Sequence, residues 1–294
     1  MNASHASLDG RTASLASLAM LAFAGNSLLC RAALAGTAMD AAGFTVVRLA
    51  SGALVLWVLL RMRHSASTGG GGGNWPSAIA LFAYAAAFSF AYVQLSAATG
   101  ALLLFGAVQA TMIGAGMARG ERFRAIQLAG FALALVGLAA LLLPGATAPP
   151  LDGALTMVGA GIAWGAYSLR GGRALDPLGE TAGNFLRTLP FAALLALAAS
   201  GSLSLDPSGI ALAAASGALA SGLGYAVWYA VLPRLSALRA SILQLSVPVL
   251  TALGGVALLA EVLSLRLVAC SAAVLGGVLL VVLSGSRMRA AQAP

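Results

Sequence analysis

Residues 251–261 read Thr251-Ala252-Leu253-Gly254-Gly255-Val256-Ala257-Leu258-Leu259-Ala260-Glu261. They repeat in outline the stretch 140 residues earlier, Thr111-Met112-Ile113-Gly114-Ala115-Gly116-Met117-Ala118-Arg119-Gly120-Glu121. At the same shift Ser96 falls on Ser236, Ala97 on Ala237, Gly25 on Gly165 and Gly137 on Gly277, and Arg48 meets Arg187 at a shift of 139. Matches of Ala or Leu carry little weight in so Ala/Leu-rich a chain. The Glu match carries more, because only three Glu occur and two of them coincide. A duplicated apolar chain points to a transporter, where repeats of this kind build both the substrate site and the two access states.

Composition fixes the solvent. Apolar residues make up 60% of the chain and charged residues 8%, with a mean hydropathy of +0.95. A soluble domain carries roughly 25% charged residues, so lipid is the natural surround. About 20 apolar residues span a bilayer as a helix. Ten such stretches are expected, at 13–34, 43–60, 75–97, 99–118, 125–143, 153–170, 179–199, 209–232, 239–259 and 266–284. The fold class is therefore an all-α membrane protein. An odd number of helices per repeat forces the second repeat to enter upside down, giving two inverted five-helix repeats about an axis in the membrane plane. The expected organisation is a tail at 1–12, a first repeat at 13–143, a linker at 144–152, a second repeat at 153–286 and a tail at 287–294.

All sixteen basic residues are Arg. Their clustering at one set of helix ends predicts cytoplasmic termini and a multi-pass protein of a bacterial-type inner membrane. Asp40, Asp152, Asp206 and Glu261 fall on the opposite side. No signal peptide is expected ahead of the first helix. Cys30 and Cys270 lie in opposite halves and read as packing residues. With two His and two Cys in the chain, no metal site, cofactor site or nucleophile–His arrangement can be assembled. The glycine run Gly69–Gly73 lacks the Lys-Ser/Thr that follows in a phosphate loop. The net charge of +8 describes topology, not nucleic-acid binding.

Both repeats close on one pattern: a small-residue helix, a Glu, then small residues nine and sixteen positions later. These are Glu121, Gly130 and Gly137 in the first repeat. In the second they are Glu261, Cys270 and Gly277, preceded by Leu245-Ser246-Val247-Pro248-Val249-Leu250-Thr251. On these residues the chain resembles the ten-helix EamA-type branch of the drug/metabolite transporter superfamily over about residues 13–286. It departs from the pattern at Cys270, at Leu267 and at Val108, where the second repeat has Pro248. The run Gly224-Tyr225-Ala226-Val227-Trp228 is similar to bacterial aromatic amino-acid exporters of that superfamily. The resemblance implies a non-enzymatic exporter of small organic metabolites working by alternating access, with an aromatic or apolar amino acid as the specific expectation. A drug or other metabolite exporter of the same fold is the alternative. A channel would need a continuous polar stripe and an intramembrane enzyme a reactive constellation, and neither is legible.

Aromatic side chains supply the candidate substrate site. Tyr84, Phe88 and Tyr92 recur every fourth residue, Trp164 and Tyr167 share a face, and Tyr225, Trp228 and Tyr229 share another. Such stripes also occur in lipid-facing belts. Brought around one cavity, they would stack on a flat solute. Asn26, Gln244 and Pro248 add polar groups, because an amide both donates and accepts and Pro248 frees the carbonyl of Gln244. Arg48 and Arg187 lie inside helices at opposite mouths. Each is expected either to snorkel or to hold its mouth shut, with Asp40 available outside and Asp176 or Glu180 inside. All eight acids fall in tails, loops or helix ends. That placement predicts uncoupled transport of a net-neutral solute, since proton-driven carriers keep a carboxylate at depth. The expected partners are the bilayer and a small molecule, with no nucleic acid. The oligomeric state is open, a monomer included.

Overall fold

Short polar side chains cap many of the helix starts. The computed structural model describes residues 10–63, 72–120, 124–171, 175–235 and 237–291, and among these residues every element is helical. The helices are α1 (Gly10–Gly36), α2 (Ala41–Met62), α3 (Trp75–Tyr92), α4 (Ala97–Ala118) and α5 (Ala125–Leu142). A second five follow: α6 (Leu151–Gly171), α7 (Pro177–Ala198), α8 (Pro207–Arg234), α9 (Ala237–Leu259) and α10 (Leu265–Ala291). Nine of the ten are long and apolar enough to cross a membrane. The exception is α6, which carries Asp152 and Arg170 exposed near its two ends and turns Trp164 and Tyr167 toward the bundle.

Side-chain oxygens at the first positions satisfy backbone N–H groups that a new helix leaves unpaired. Asp40 accepts from the N–H of Ala42 (2.8 Å) and Gly43 (2.9 Å). Asn74 caps α3 through Ser77, Asp176 caps α7 through Gly179 and Asp206 caps α8 through Gly209. Pro177 and Pro207 follow their caps at the first helical position, where a missing N–H costs nothing. The expected third stretch ran to residue 97, but α3 stops at Tyr92. A tight turn follows, and Ser96 caps α4 through the N–H of Thr99. Apolar content alone did not register this corner, because Val93 and Leu95 in the turn are as apolar as the helices beside them.

The second repeat runs opposite to the first. Each of α2, α4 and α5 packs against its own repeat mate, α7, α9 and α10. The remaining contacts come in mated sets: α3 and α4 lie on α6 as α8 and α9 lie on α1, and α2 lies on α8 as α7 lies on α3. The chain is thus two inverted five-helix repeats about a pseudo-two-fold axis. Glycine makes the closest crossings possible. A Cβ on Gly277 would stand 2.4 Å from the carbonyl oxygen of Gly130, where α5 meets α10. A Cβ on Gly217 would stand 2.1 Å from the carbonyl oxygen of Arg48, where α8 meets α2. Next to that crossing α8 widens into a π-helical segment, Ser216–Leu223, before resuming as α-helix. Cys30 and Cys270 are free and buried.

Candidate substrate site

The centre of the bundle gathers side chains from six helices. Trp164 of α6 stacks on Tyr225 of α8 (centroids 5.5 Å apart, planes at 23°) and on Tyr167 (5.2 Å, 27°). Tyr84 of α3 lies against the same indole at 4.7 Å. Tyr225 continues the stack to Tyr229 and meets Phe185 of α7 edge-on. Stacked and edge-on pairs of this kind are each worth about 0.5–1.5 kcal/mol beyond their buried area. Tyr84 and Tyr225 are buried, whereas Trp164 and Tyr229 are only half-buried.

One hydrogen-bonded chain fixes the polar side of this cluster. Ser216, at the start of the widened segment of α8, donates to the Asn26 carbonyl oxygen (2.7 Å). The Asn26 amide donates to the Tyr84 hydroxyl (3.3 Å), and Arg48 Nη2 donates to the same oxygen (3.1 Å). The Arg48 guanidinium sits over two rings, 4.8 Å from the Phe88 centroid and 5.2 Å from that of Tyr84. A cation over a ring face is stabilised by the ring quadrupole. At the margin, the Asn184 amide reaches the Tyr167 hydroxyl at 3.5 Å.

Most of the expected site residues meet here: Asn26, Tyr84, Phe88, Trp164, Tyr167, Tyr225 and Tyr229. Tyr92 touches the cluster only at the margin, edge-on to Phe88 (4.7 Å). It is fully buried at the α3–α4 corner, where its hydroxyl donates to the carbonyl of Ala97 (3.2 Å) and its ring fills the space beside Gly100. Trp228 packs in an adjoining apolar group with Ala19, Met20, Ala24 and Val247, edge-on to Phe23, which also meets Tyr225 at 5.7 Å. Gln244 and Pro248 sit on α9, half-buried and buried respectively. Among the described residues no hydrogen bond or ring contact ties either to the cluster. Phe185 and Ser216 were missed. Phe185 carries no helical stripe of its own, and Ser216 is one of many small residues in its helix.

The expected gate pairs form differently. Arg48 does not reach Asp40 but turns to the rings about 12 Å along α2 from its cap. Asp40 is occupied at that cap and also accepts from the N–H of Ser204, which ties the α7–α8 connection to α2. Arg187 takes carbonyls instead of Asp176 or Glu180: its Nη1 donates to Gly72 (2.8 Å) and Gly183 (2.9 Å). Asp176 pairs with Arg63, whose guanidinium holds its carboxyl below the usual carboxylate range. Glu180 lies half-buried in the first turn of α7. At the other end Glu261 accepts from the N–H of Ala97 (2.9 Å) and from Arg31 Nε (3.4 Å), while Arg31 Nη1 donates to the carbonyls of Tyr92 and Val93. One carboxylate so ties α1, α3, α4 and the α9–α10 connection together. Its repeat mate Glu121 lies outside the described residues.

Ten helices in two inverted repeats, closed round a ring-lined interior, define a membrane carrier architecture and not a soluble binding module. The chain belongs to the EamA-like transporter family. The family model matches residues 151–283, which take in α6 through most of α10. A Pseudomonas aeruginosa relative, described as "Uncharacterized protein PA1977", is 62% identical over 273 residues, covering 93% of this chain and 95% of its own. A solved structure described only as "Crystal structure of protein" superposes with a TM-score of 0.64 at 20% identity, covering 95% of this chain and 98% of the other. That likeness shows the fold. The protein is accordingly a multi-pass membrane transporter.

Proposed function

We propose that this transporter exports small organic solutes with a flat aromatic or apolar body, aromatic amino acids foremost, by alternating access through the ring cluster. The observation that carries this reading is Trp164, stacked between Tyr225 and Tyr167 with Tyr84 against it, at the meeting point of both repeats. The indole is half-buried, so a substrate ring can reach it and exchange with one of these three ring contacts as the site opens. The end carrying Arg61, Arg63, Arg119, Arg124, Arg170 and Arg234 is taken as cytoplasmic, in an inner membrane with both termini inside. Gating is assigned to the contacts at the two ends: Arg63–Asp176 and Arg187–Gly72 on the cytoplasmic side, Arg31–Glu261 and Asp40–Ser204 on the external side. Among the described residues every carboxylate serves a helix start or a connection, which supports uncoupled transport.

Proteoliposomes loaded with labelled L-phenylalanine, without ion gradients, test the reading. Expected is saturable flux down the phenylalanine gradient, lowered about tenfold at subsaturating substrate by Trp164→Ala. Linear flux without saturation identifies a channel. Saturable flux that Trp164→Ala leaves intact removes the ring cluster from the path.

A further inference from the structure

Arg48 is the buried charged side chain among the described residues, at 2% exposure. Its Nη2 is bonded to Tyr84, but Nε and Nη1 have no hydrogen-bond partner. No carboxylate among the described residues pairs with it. Other guanidinium groups find protein acceptors: Arg31 has Glu261 and two carbonyls, Arg187 has two carbonyls, and Arg266 has the carbonyls of Ala140 and Leu143. Buried polar groups are nearly always bonded, and an uncompensated buried charge destabilises a fold by several kcal/mol. Two unbonded nitrogens on a buried cation, carrying three N–H donors, therefore ask for an acceptor that the described residues do not supply.

The neighbouring hydroxyl points the same way. The Tyr84 oxygen already accepts from Arg48 and from Asn26, so its own proton remains to be donated. The Tyr84 ring beside this group is the one that lies against Trp164. A cationic donor set and a stacking face thus share one side chain.

We propose that Arg48 is the carboxylate-binding residue of the substrate site, and that the transported solutes are aromatic or apolar molecules carrying a carboxylate group. The carboxylate accepts from the free nitrogens of Arg48 and from the Tyr84 hydroxyl while the apolar body stacks at Trp164. A planar guanidinium matches a carboxylate in geometry as well as charge. The proposal rests on the ring cluster being the substrate site. It narrows the class: an amino acid qualifies through its carboxylate while remaining net neutral, and an aromatic amine or amide does not.

Matched probes separate the two readings. Binding of 3-phenylpropionate and of 3-phenylpropionamide to the purified protein in nanodiscs is followed by tryptophan fluorescence and calorimetry. Expected is acid binding at least about tenfold tighter than amide, the scale of a lost charge-assisted hydrogen bond. Arg48→Gln is expected to erase the difference, and Arg48→Lys to keep part of it, since charge remains without the planar fork. If Arg48→Gln fails to fold, the wild-type comparison and the Lys variant still decide. Equal binding of acid and amide overturns the carboxylate assignment and leaves the ring site standing. Binding of neither probe to folded protein overturns the ring site, and this proposal falls with it.

Discussion

The two repeats carry the same residues to unequal fates. Phe88 and Trp228 are mates at the shift of 140, yet Phe88 lies under the Arg48 guanidinium while Trp228 packs behind Phe23 in an adjoining apolar group. Arg48 and Arg187 correspond as well. The first is buried among rings with two nitrogens unbonded, and the second spends its Nη1 on two carbonyls near the end of the bundle. Gly114 has nothing within 4 Å of a Cβ built on it, whereas the Cβ of Gly254 would press on Leu28 at 2.4 Å. The duplicated sequence therefore dictates the skeleton, which is symmetric, and not the interior, which is not. A site between inverted halves needs this asymmetry, because a solute with two different ends cannot be held by two identical half-sites.

Six substitutions, grouped in four comparisons, test the contrast from the largest effect down. Trp228→Ala removes a buried ring from an apolar cluster, so a loss of about 3–5 kcal/mol of stability is expected. Phenylalanine affinity of the folded fraction should hold. Trp164→Ala should also lower stability, since it removes three ring contacts, but unlike Trp228→Ala it should weaken phenylalanine binding by the folded fraction, and calorimetry beside thermal melts in nanodiscs reads both. Should Trp228→Ala weaken binding as strongly as Trp164→Ala, the rings act as a symmetric set after all.

Glu261→Gln comes next. It removes the charge that serves Arg31 and the N–H of Ala97, and a loss of about 1.5–3 kcal/mol is expected on the scale of hydrogen bonds to charged groups. An unchanged melting temperature would mean that the carbonyls of Tyr92 and Val93 suffice for Arg31. Gly254→Ala should cost about 1 kcal/mol, because the crowded atom is the end of a flexible leucine. Gly114→Ala should be neutral or stabilising by up to about 0.5–1 kcal/mol through helix propensity. Equal effects at the two glycines would restore the symmetry that the packing denies.

The smallest effect concerns pH. Arg63 lowers the Asp176 pKa in the folded state, so its contribution is complete above the unfolded value of about 3.9 and is lost as pH falls through the lower folded value. Both partners are close to half exposed, which limits the pair to under about 1 kcal/mol and makes it salt-sensitive. Asp176→Asn keeps a capping oxygen for Gly179 while removing the charge. The stability gap between wild type and this variant should narrow from pH 6 to pH 3, and also in high salt. A gap independent of both would assign the effect to the cap.

The skeleton was legible because lipid leaves few choices: apolar stretches of spanning length, an odd number per repeat, and Arg gathered at one set of ends. Seven of the expected site residues meet in the centre for the same reason, since rings on the inward helices have little else to pack against. What failed, failed locally. Tyr92 shares the spacing of Tyr84 and Phe88 but lies a turn too near the corner, where Gly100 makes room for it. Helical spacing reports a face and not a depth. Gln244 and Pro248 were chosen for their chemistry, and α9 packs on α1 and α4 without bringing them to the rings. Counting residues from the helix end puts Arg48 at a mouth. The direction of a long side chain, which put its guanidinium among the rings, is not encoded in that count.

The widened turn at Ser216–Leu223 has a consequence for any related sequence. A π turn accommodates one residue more than an α turn. Everything after it is displaced by one residue's rotation, about 100°, from where an unbroken helical wheel would point it. Tyr225, Trp228 and Tyr229 all lie beyond that dislocation. In a homologue that lacks a single residue inside 216–223 and runs on as unbroken α-helix, the aromatic letters keep their bearings, and the gap in the alignment marks a closed bulge. Conversely, a chain of equal length without the widened turn would aim the same letters about 100° away.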